Sequence, residues 1–209
     1  MTAATNYERR RVYDPLLRFM HAWNALAIIT LLASGWGSEL FEHGPLESAV
    51  WTVHIYSGYS LILGLVARVT WGLVGPRHAR FGDLWHWGAW KEAVTQLRLP
   101  DRHRWGHDPL ASAVYLAVYV ALALMAVTGL VLAAGEHSTG PLAGSLLDSI
   151  GLSELVEDPH EFVANAIAAF IGIHLIALWV HQRFGGIPVA QSMLSGVQLR
   201  PATKEARHA

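Results

Sequence analysis

The sequence predicts an all-α integral membrane protein, a bundle of four transmembrane helices. Three observations predict it. Hydrophobic residues make up 53% of the 209 and charged ones only 15%, against about 25% charged in an ordinary soluble domain. The charges are gathered between long apolar runs. Four of those runs reach the roughly 20 residues needed to cross a bilayer, and none shows the continuous polar face of a soluble amphipathic helix.

The first span is expected at Leu16–Trp36, the second at Val50–Val74 and the third at Leu110–Ala134. The fourth runs over Phe162–His181, or 160–181 once a first turn opening near Pro159 is included. The whole chain, 1–209, reads as one membrane domain with a tail at 188–209. The Arg-rich start is followed by an apolar stretch that is long and has no small-residue cleavage site, so it reads as a span and not a signal peptide.

Lysine and arginine set the orientation. Arg9, Arg10, Arg11 and Arg18 lie at or before the first span. Arg77, Arg80, Lys91, Arg98, Arg102 and Arg104 fill the loop after the second, and Arg183, Arg200, Lys204 and Arg207 follow the fourth. The loops Gly35–Ala49 and Gly135–Asp158 carry neither Lys nor Arg, but hold Glu39, Glu42, Glu47, Glu136, Asp148, Glu154, Glu157 and Asp158. Both termini and the middle loop are therefore expected in the cytoplasm, and the two acidic loops in the periplasm of a bacterial inner membrane.

Within the middle loop, Leu84–Leu99 sets Trp85, Trp87 and Trp90 beside Lys91 and Arg98. That mixture suits a helix lying in the headgroup zone; an ordinary solvated loop is the alternative. Pro141–Leu152 reads as a short helix or lid. Gly106-His107-Asp108-Pro109 reads as a helix start.

The chain has no cysteine, which excludes disulfides, thiolate-held zinc or iron–sulfur clusters and covalently attached haem. A net charge of −1 gives no basic surplus for nucleic acid. Histidine remains. Ionisable residues inside spans are costly and usually functional, and His21, His54, His160 and His174 stand out. His21 lies near the cytoplasmic end of its helix, and His54 and His160 near the periplasmic ends of theirs. His174 is 14 residues beyond His160, about 21 Å along a helix and close to four whole turns. His160 and His174 thus share one face at different depths. Two level pairs result, His54 with His160 and His21 with His174. Paired imidazoles from opposing helices suit a six-coordinate b-type haem, whereas zinc wants three or four ligands at one depth, and carboxylate-bridged di-iron wants glutamates in the helix interiors. Gly58, one turn after His54, offers either a flat surface to a porphyrin or a close helix contact. Arg68 shares the face of His54 at cytoplasmic depth and reads as a propionate partner or a snorkelling arginine. His181 contacts a propionate or a quinone, or ends its helix.

With these residues placed, the sequence resembles the bacterial cytochrome b561 family, which includes the b-type cytochrome subunits of nickel–iron hydrogenases. The resemblance runs from about Arg11 to Ile187. It is carried by Leu17-Arg18-Phe19-Met20-His21-Ala22-Trp23, Val53-His54-Ile55-Tyr56-Ser57-Gly58, Arg68 with Trp71-Gly72-Leu73-Val74-Gly75, and Ala79-Arg80-Phe81. It continues through Gly106-His107-Asp108-Pro109-Leu110, Thr128-Gly129-Leu130, His160-Glu161 and Ile173-His174 with His181. It implies two haem b groups held by ligands on the first, second and fourth helices, two of them on the fourth. His181-Gln182 stands where the family often has two histidines, and Asp108 where it often has Asn.

The expected function is electron transfer in a respiratory chain, between a membrane quinone such as ubiquinone and a periplasmic partner. That partner is a c-type cytochrome or another oxidoreductase subunit. Acidic periplasmic loops suit docking of a basic partner, or report topology alone. An alternative is a superoxide oxidase passing electrons to ubiquinone, although loops without Lys or Arg suit superoxide poorly. A haem-free anchor or histidine-lined transporter is a third class.

Overall fold

The computed structural model describes residues 7–41, 43–96, 109–145, 151–184 and 189–201. Helix α1 is Pro15–Ser38, α2 is Glu47–Val74, α3 is Trp87–Gln96, α4 is Pro109–Gly135, α5 is Leu152–Phe184 and α6 is Val189–Ser195. Helices α1, α2, α4 and α5 are each long and apolar enough to cross a membrane. Two strands, β1 at Tyr7–Arg11 and β2 at Val197–Pro201, and three short 3-10 turns at Glu39–Phe41, Arg77–Ala79 and Phe81–Asp83 complete the described elements.

Local chemistry explains the helix ends. Asp14 caps α1: its Oδ1 accepts from the backbone N–H groups of Leu16 (3.1 Å) and Leu17 (3.0 Å), and Pro15 sits where a missing N–H costs nothing. Pro109 opens α4 for the same reason. His107 and Asp108 lie outside the described residues, as do 97–99 of the expected interfacial segment, 146–150 of the expected lid, and 188 and 202–209 of the tail. Helix α5 begins well ahead of Pro159, which lies inside it. Hydropathy marks only the part of a helix that meets lipid; Glu154, Glu157 and Asp158 suit the positive end of a helix as well as a loop.

The chain forms two compact units. The first comprises Met1–Phe19, Thr70–Ala113 and Gly172–Ala209. In it β1 and β2 pair antiparallel, from Tyr7 opposite Pro201 to Arg11 opposite Val197. Gly196 ends α6 with φ +79°, its N–H donating to the Ser192 carbonyl at 2.9 Å. A Cβ there would collide with the Tyr13 carbonyl at 2.5 Å, so the position needs glycine twice over. Trp71 Nε1 donates to the Asp14 carboxylate at 3.2 Å, Arg18 Nε to the Met193 carbonyl at 3.1 Å and Trp90 Nε1 to the Pro109 carbonyl at 2.6 Å. The ring of Phe81 lies on the backbone at Gly72, where no side chain has room.

The second unit comprises Met20–Val69 and Val114–Ile171. Its core brings Ala27 of α1, Leu61 and Leu65 of α2, Leu122 of α4 and Ile167 of α5 together. Gly64 lets the Asn24 side chain press against α2, and Trp23 Nε1 donates to the Ser60 carbonyl at 3.2 Å. In both contacts α1 and α2 approach closely through a small residue or a polar bridge, as helices in lipid do.

Candidate functional site

The second unit holds a cavity of about 540 Å³, within the range of ligand and cofactor sites. Its walls come from α1, α2, α4 and α5, and they include His54, Gly58 and His160. The remainder is mostly aliphatic, as around Leu31, Ile62, Met125 and Ile167.

The two histidines are held alike. His54 Nδ1 lies 3.0 Å from Ser34 Oγ on α1, and that hydroxyl donates its proton to the Thr30 carbonyl at 2.7 Å. His160 Nδ1 lies 2.7 Å from Thr128 Oγ1 on α4, and that hydroxyl donates to the Leu124 carbonyl at 2.8 Å. Returning the proton to the carbonyl one turn back is the usual habit of a helix hydroxyl. The residue after each hydroxyl is glycine, and a Cβ on Gly35 or on Gly129 would stand 3.4 Å from Cε1 of the corresponding imidazole. Each ring is thus seated on a Ser-Gly or Thr-Gly pair of the neighbouring helix.

This donor set fits haem b: two imidazoles on different helices, in one cavity whose wall is largely aliphatic, with glutamates also lining it and a glycine in its wall. Among the described residues, no group of three or more His, Asp or Glu is placed to hold a bare metal ion. Gly58 has open space beside it, with Leu31 Cδ2 at 4.0 Å as its nearest neighbour. It is not a close-packing glycine; Gly64 and Gly72 have that role.

Arg68 is 2% exposed. Its Nε donates to Tyr115 Oη at 2.8 Å, and Tyr115 donates in turn to Tyr119 at 3.0 Å. The guanidinium also stands over both rings, 5.6 and 5.8 Å from their centroids. Arg68 is therefore held inside and does not snorkel. His21 is exposed on α1, and His174 and His181 are exposed on α5; none of these, nor Arg68, lines the cavity of His54 and His160. Helix α5 is the least buried of the four long helices.

At the acidic end of the cavity, Trp51 touches both His54 and His137, with ring centroids 5.6 and 5.0 Å apart. Glu136, just past α4, is held above the ordinary carboxylate value by burial and then by the nearby Glu157 carboxylate, with His137 pulling the other way.

Sequence reasoning singled out Thr128-Gly129 only within the family resemblance, with no role attached, and missed Ser34, Gly35, Tyr115 and Tyr119. The recurrence of a hydroxyl residue followed by glycine in two apolar helices was a signal, but such pairs are common wherever helices pack. Nothing in their spacing tied either pair to a particular histidine.

The family model described as prokaryotic cytochrome b561 matches residues 12–196. A protein of Cupriavidus necator named probable Ni/Fe-hydrogenase B-type cytochrome subunit is 26% identical, over 88% of this chain and 85% of its own. Proteins of the same name from Rhizobium leguminosarum bv. viciae (28% identical; 90% and 88% covered) and Rhodobacter capsulatus (27%; 88% and 79%) are similar to it. No solved structure matches the chain.

Proposed function

The chain belongs to the prokaryotic cytochrome b561 family, and from that premise we propose that it is a di-haem electron carrier working between a membrane quinone and a periplasmic redox partner. Membership makes it a b-type membrane cytochrome. The observation that carries the finer reading is the seated pair, His54 and His160, facing one largely aliphatic cavity.

Haem b, when bound, supplies one-electron transfer. The chain's own part is to hold it, keep water away and set its charge environment. His54 and His160 hold one group, Gly58 gives its face room and the aliphatic wall keeps the site dry. His21 and His174 hold the second; their pairing rests on matched depth along the spans. Arg68 balances a propionate of that second group, with Tyr115 and Tyr119 fixing its guanidinium. His181 is a propionate or quinone contact. The proposed orientation puts both termini in the cytoplasm and the His54 cavity toward the periplasm.

The relatives' names support a hydrogenase or similar oxidoreductase module as the partner. Superoxide oxidation is not favoured. Among the described residues the cavity is lined by Glu39, Glu47, Glu136, Glu157 and Glu161 and by no lysine or arginine, which repels a small anion.

Reduced-minus-oxidised spectroscopy of the purified protein tests the reading. A b-type α-band with two haems per chain is the expected result, and its absence would sink the proposal.

A further inference from the structure

We infer that Ser34 and Thr128 are positioning residues that select the tautomer of His54 and His160 and lower the reduction potential of the haem these two hold. The inference rests on the di-haem reading above and goes beyond it, by assigning a redox-tuning role to two residues with no metal-binding chemistry of their own.

The argument is one of proton counting. A neutral imidazole carries one N–H, on either Nδ1 or Nε2. A serine or threonine hydroxyl also has one proton. Ser34 commits its proton to the Thr30 carbonyl at 2.7 Å, with the Leu31 carbonyl at 3.1 Å as second acceptor. Thr128 commits its own to the Leu124 carbonyl at 2.8 Å, with Met125 second at 3.3 Å. What each hydroxyl then offers its histidine is a lone pair. The imidazole must meet that lone pair with Nδ1–H, at 3.0 Å for His54 and 2.7 Å for His160. Nε2 is left unprotonated in both rings, and it is the atom available to iron.

The same bond has an electronic effect. An acceptor on the far N–H of a ligating histidine fixes the ring and increases the electron density it donates. That favours the ferric state over the ferrous one and lowers the potential, one of the levers a protein has on haem. Both seats act in the same direction on the same cofactor. They are built from different residues on different helices, so each tests the other.

The experiment is redox titration of the full-length haem-loaded protein in detergent, with Ser34→Ala and Thr128→Val. Each variant should shift the ferrous/ferric affinity ratio toward ferrous and so raise the potential of this haem, by about 59 mV for every tenfold change in that ratio. The haem of His21 and His174 should not move and serves as the internal reference. Ser34→Thr and Thr128→Ser exchange the two seats, keep a hydroxyl, and should keep the wild-type potential. In the haem-free protein, 15N shifts should show His54 and His160 as the Nδ1–H tautomer, with His160 becoming a mixture in Thr128→Val, whereas the Leu31 carbonyl continues to accept from His54 in Ser34→Ala. A b-type spectrum with potentials unmoved in both hydroxyl-free variants overturns this inference alone. Wild-type protein without haem overturns the di-haem reading, and this inference with it.

Discussion

The two proposed histidine pairs differ in what the structure shows around them. His54 and His160 face one cavity, and each has its second nitrogen bound to a hydroxyl of a neighbouring helix. His21 and His174 are exposed on their helices, and the buried feature assigned to their site is a cation, Arg68, held by two tyrosines. The contrast separates two ways of preparing a binding site. One fixes the ligand rings before the cofactor arrives, which reduces the ordering that binding must impose. The other, as proposed, offers a buried fixed charge, Arg68, to the cofactor's acidic groups.

The largest test of the contrast is ligand removal. His54→Ala or His160→Ala should cost one haem per chain and spare the other, and His21→Ala or His174→Ala should do the reverse. Loss of both haems from a single substitution, read by haem stoichiometry, would break the division into two sites. The seated pair should also surrender its haem to a scavenging apoprotein more slowly.

Next in size is Gly58. The open space beside it should tolerate Gly58→Ala with little change, whereas Gly58→Leu fills the cavity wall and should displace the haem of His54 and His160. Equal effects from Gly58→Leu at both haems would return the glycine to a packing role.

Smaller again is Tyr115→Phe, which removes the hydroxyl bound to Arg68. A hydrogen bond to a charged group is worth about 1.5 kcal/mol or more, above the mean of about 0.6 kcal/mol for polar contacts in membranes. Denaturant midpoints in mixed detergent would measure it. A change confined to the haem of His54 and His160 would assign Arg68 to the wrong site.

The smallest concerns Glu136. Its folded value lies above the ordinary 4.5 because burial and Glu157 disfavour the charge. The folded protein therefore holds this proton more tightly than the unfolded chain. Its contribution to stability is full below 4.5 and is lost as pH rises through the folded value. Glu136→Gln should flatten that part of the melting-temperature profile, and an unchanged slope would remove the residue from the account.

Much of this architecture is legible residue by residue. Asp14-Pro15 reads as a cap followed by a first-turn proline, and the structure begins α1 there. Helix α5 was harder, because Pro159 resembles a start and the acidic residues ahead of it resemble a loop. The strand pair was not legible at all. Tyr7–Arg11 is one tyrosine followed by four charged residues, without alternation, and its partner, Val197–Pro201, lies at the other end of the chain. No local pattern announces a pairing made by contacts across that separation.

By itself the sequence determined the four membrane helices, because hydrocarbon admits only long apolar segments whose backbone bonds close internally. It also determined which histidines lie within them and how far apart His160 and His174 stand along one helix, since rise and turn per residue are constants of the helix. Tertiary structure alone decided how those histidines are held. Ser34 reaches His54 and Thr128 reaches His160 across helix interfaces, from 20 and 32 positions away in the chain. A hydroxyl finds its imidazole only when helices pack at a particular rotation. That rotation follows from the shape of the whole interface, to which Ala27, Leu61, Leu122 and Ile167 contribute as much as the histidines do.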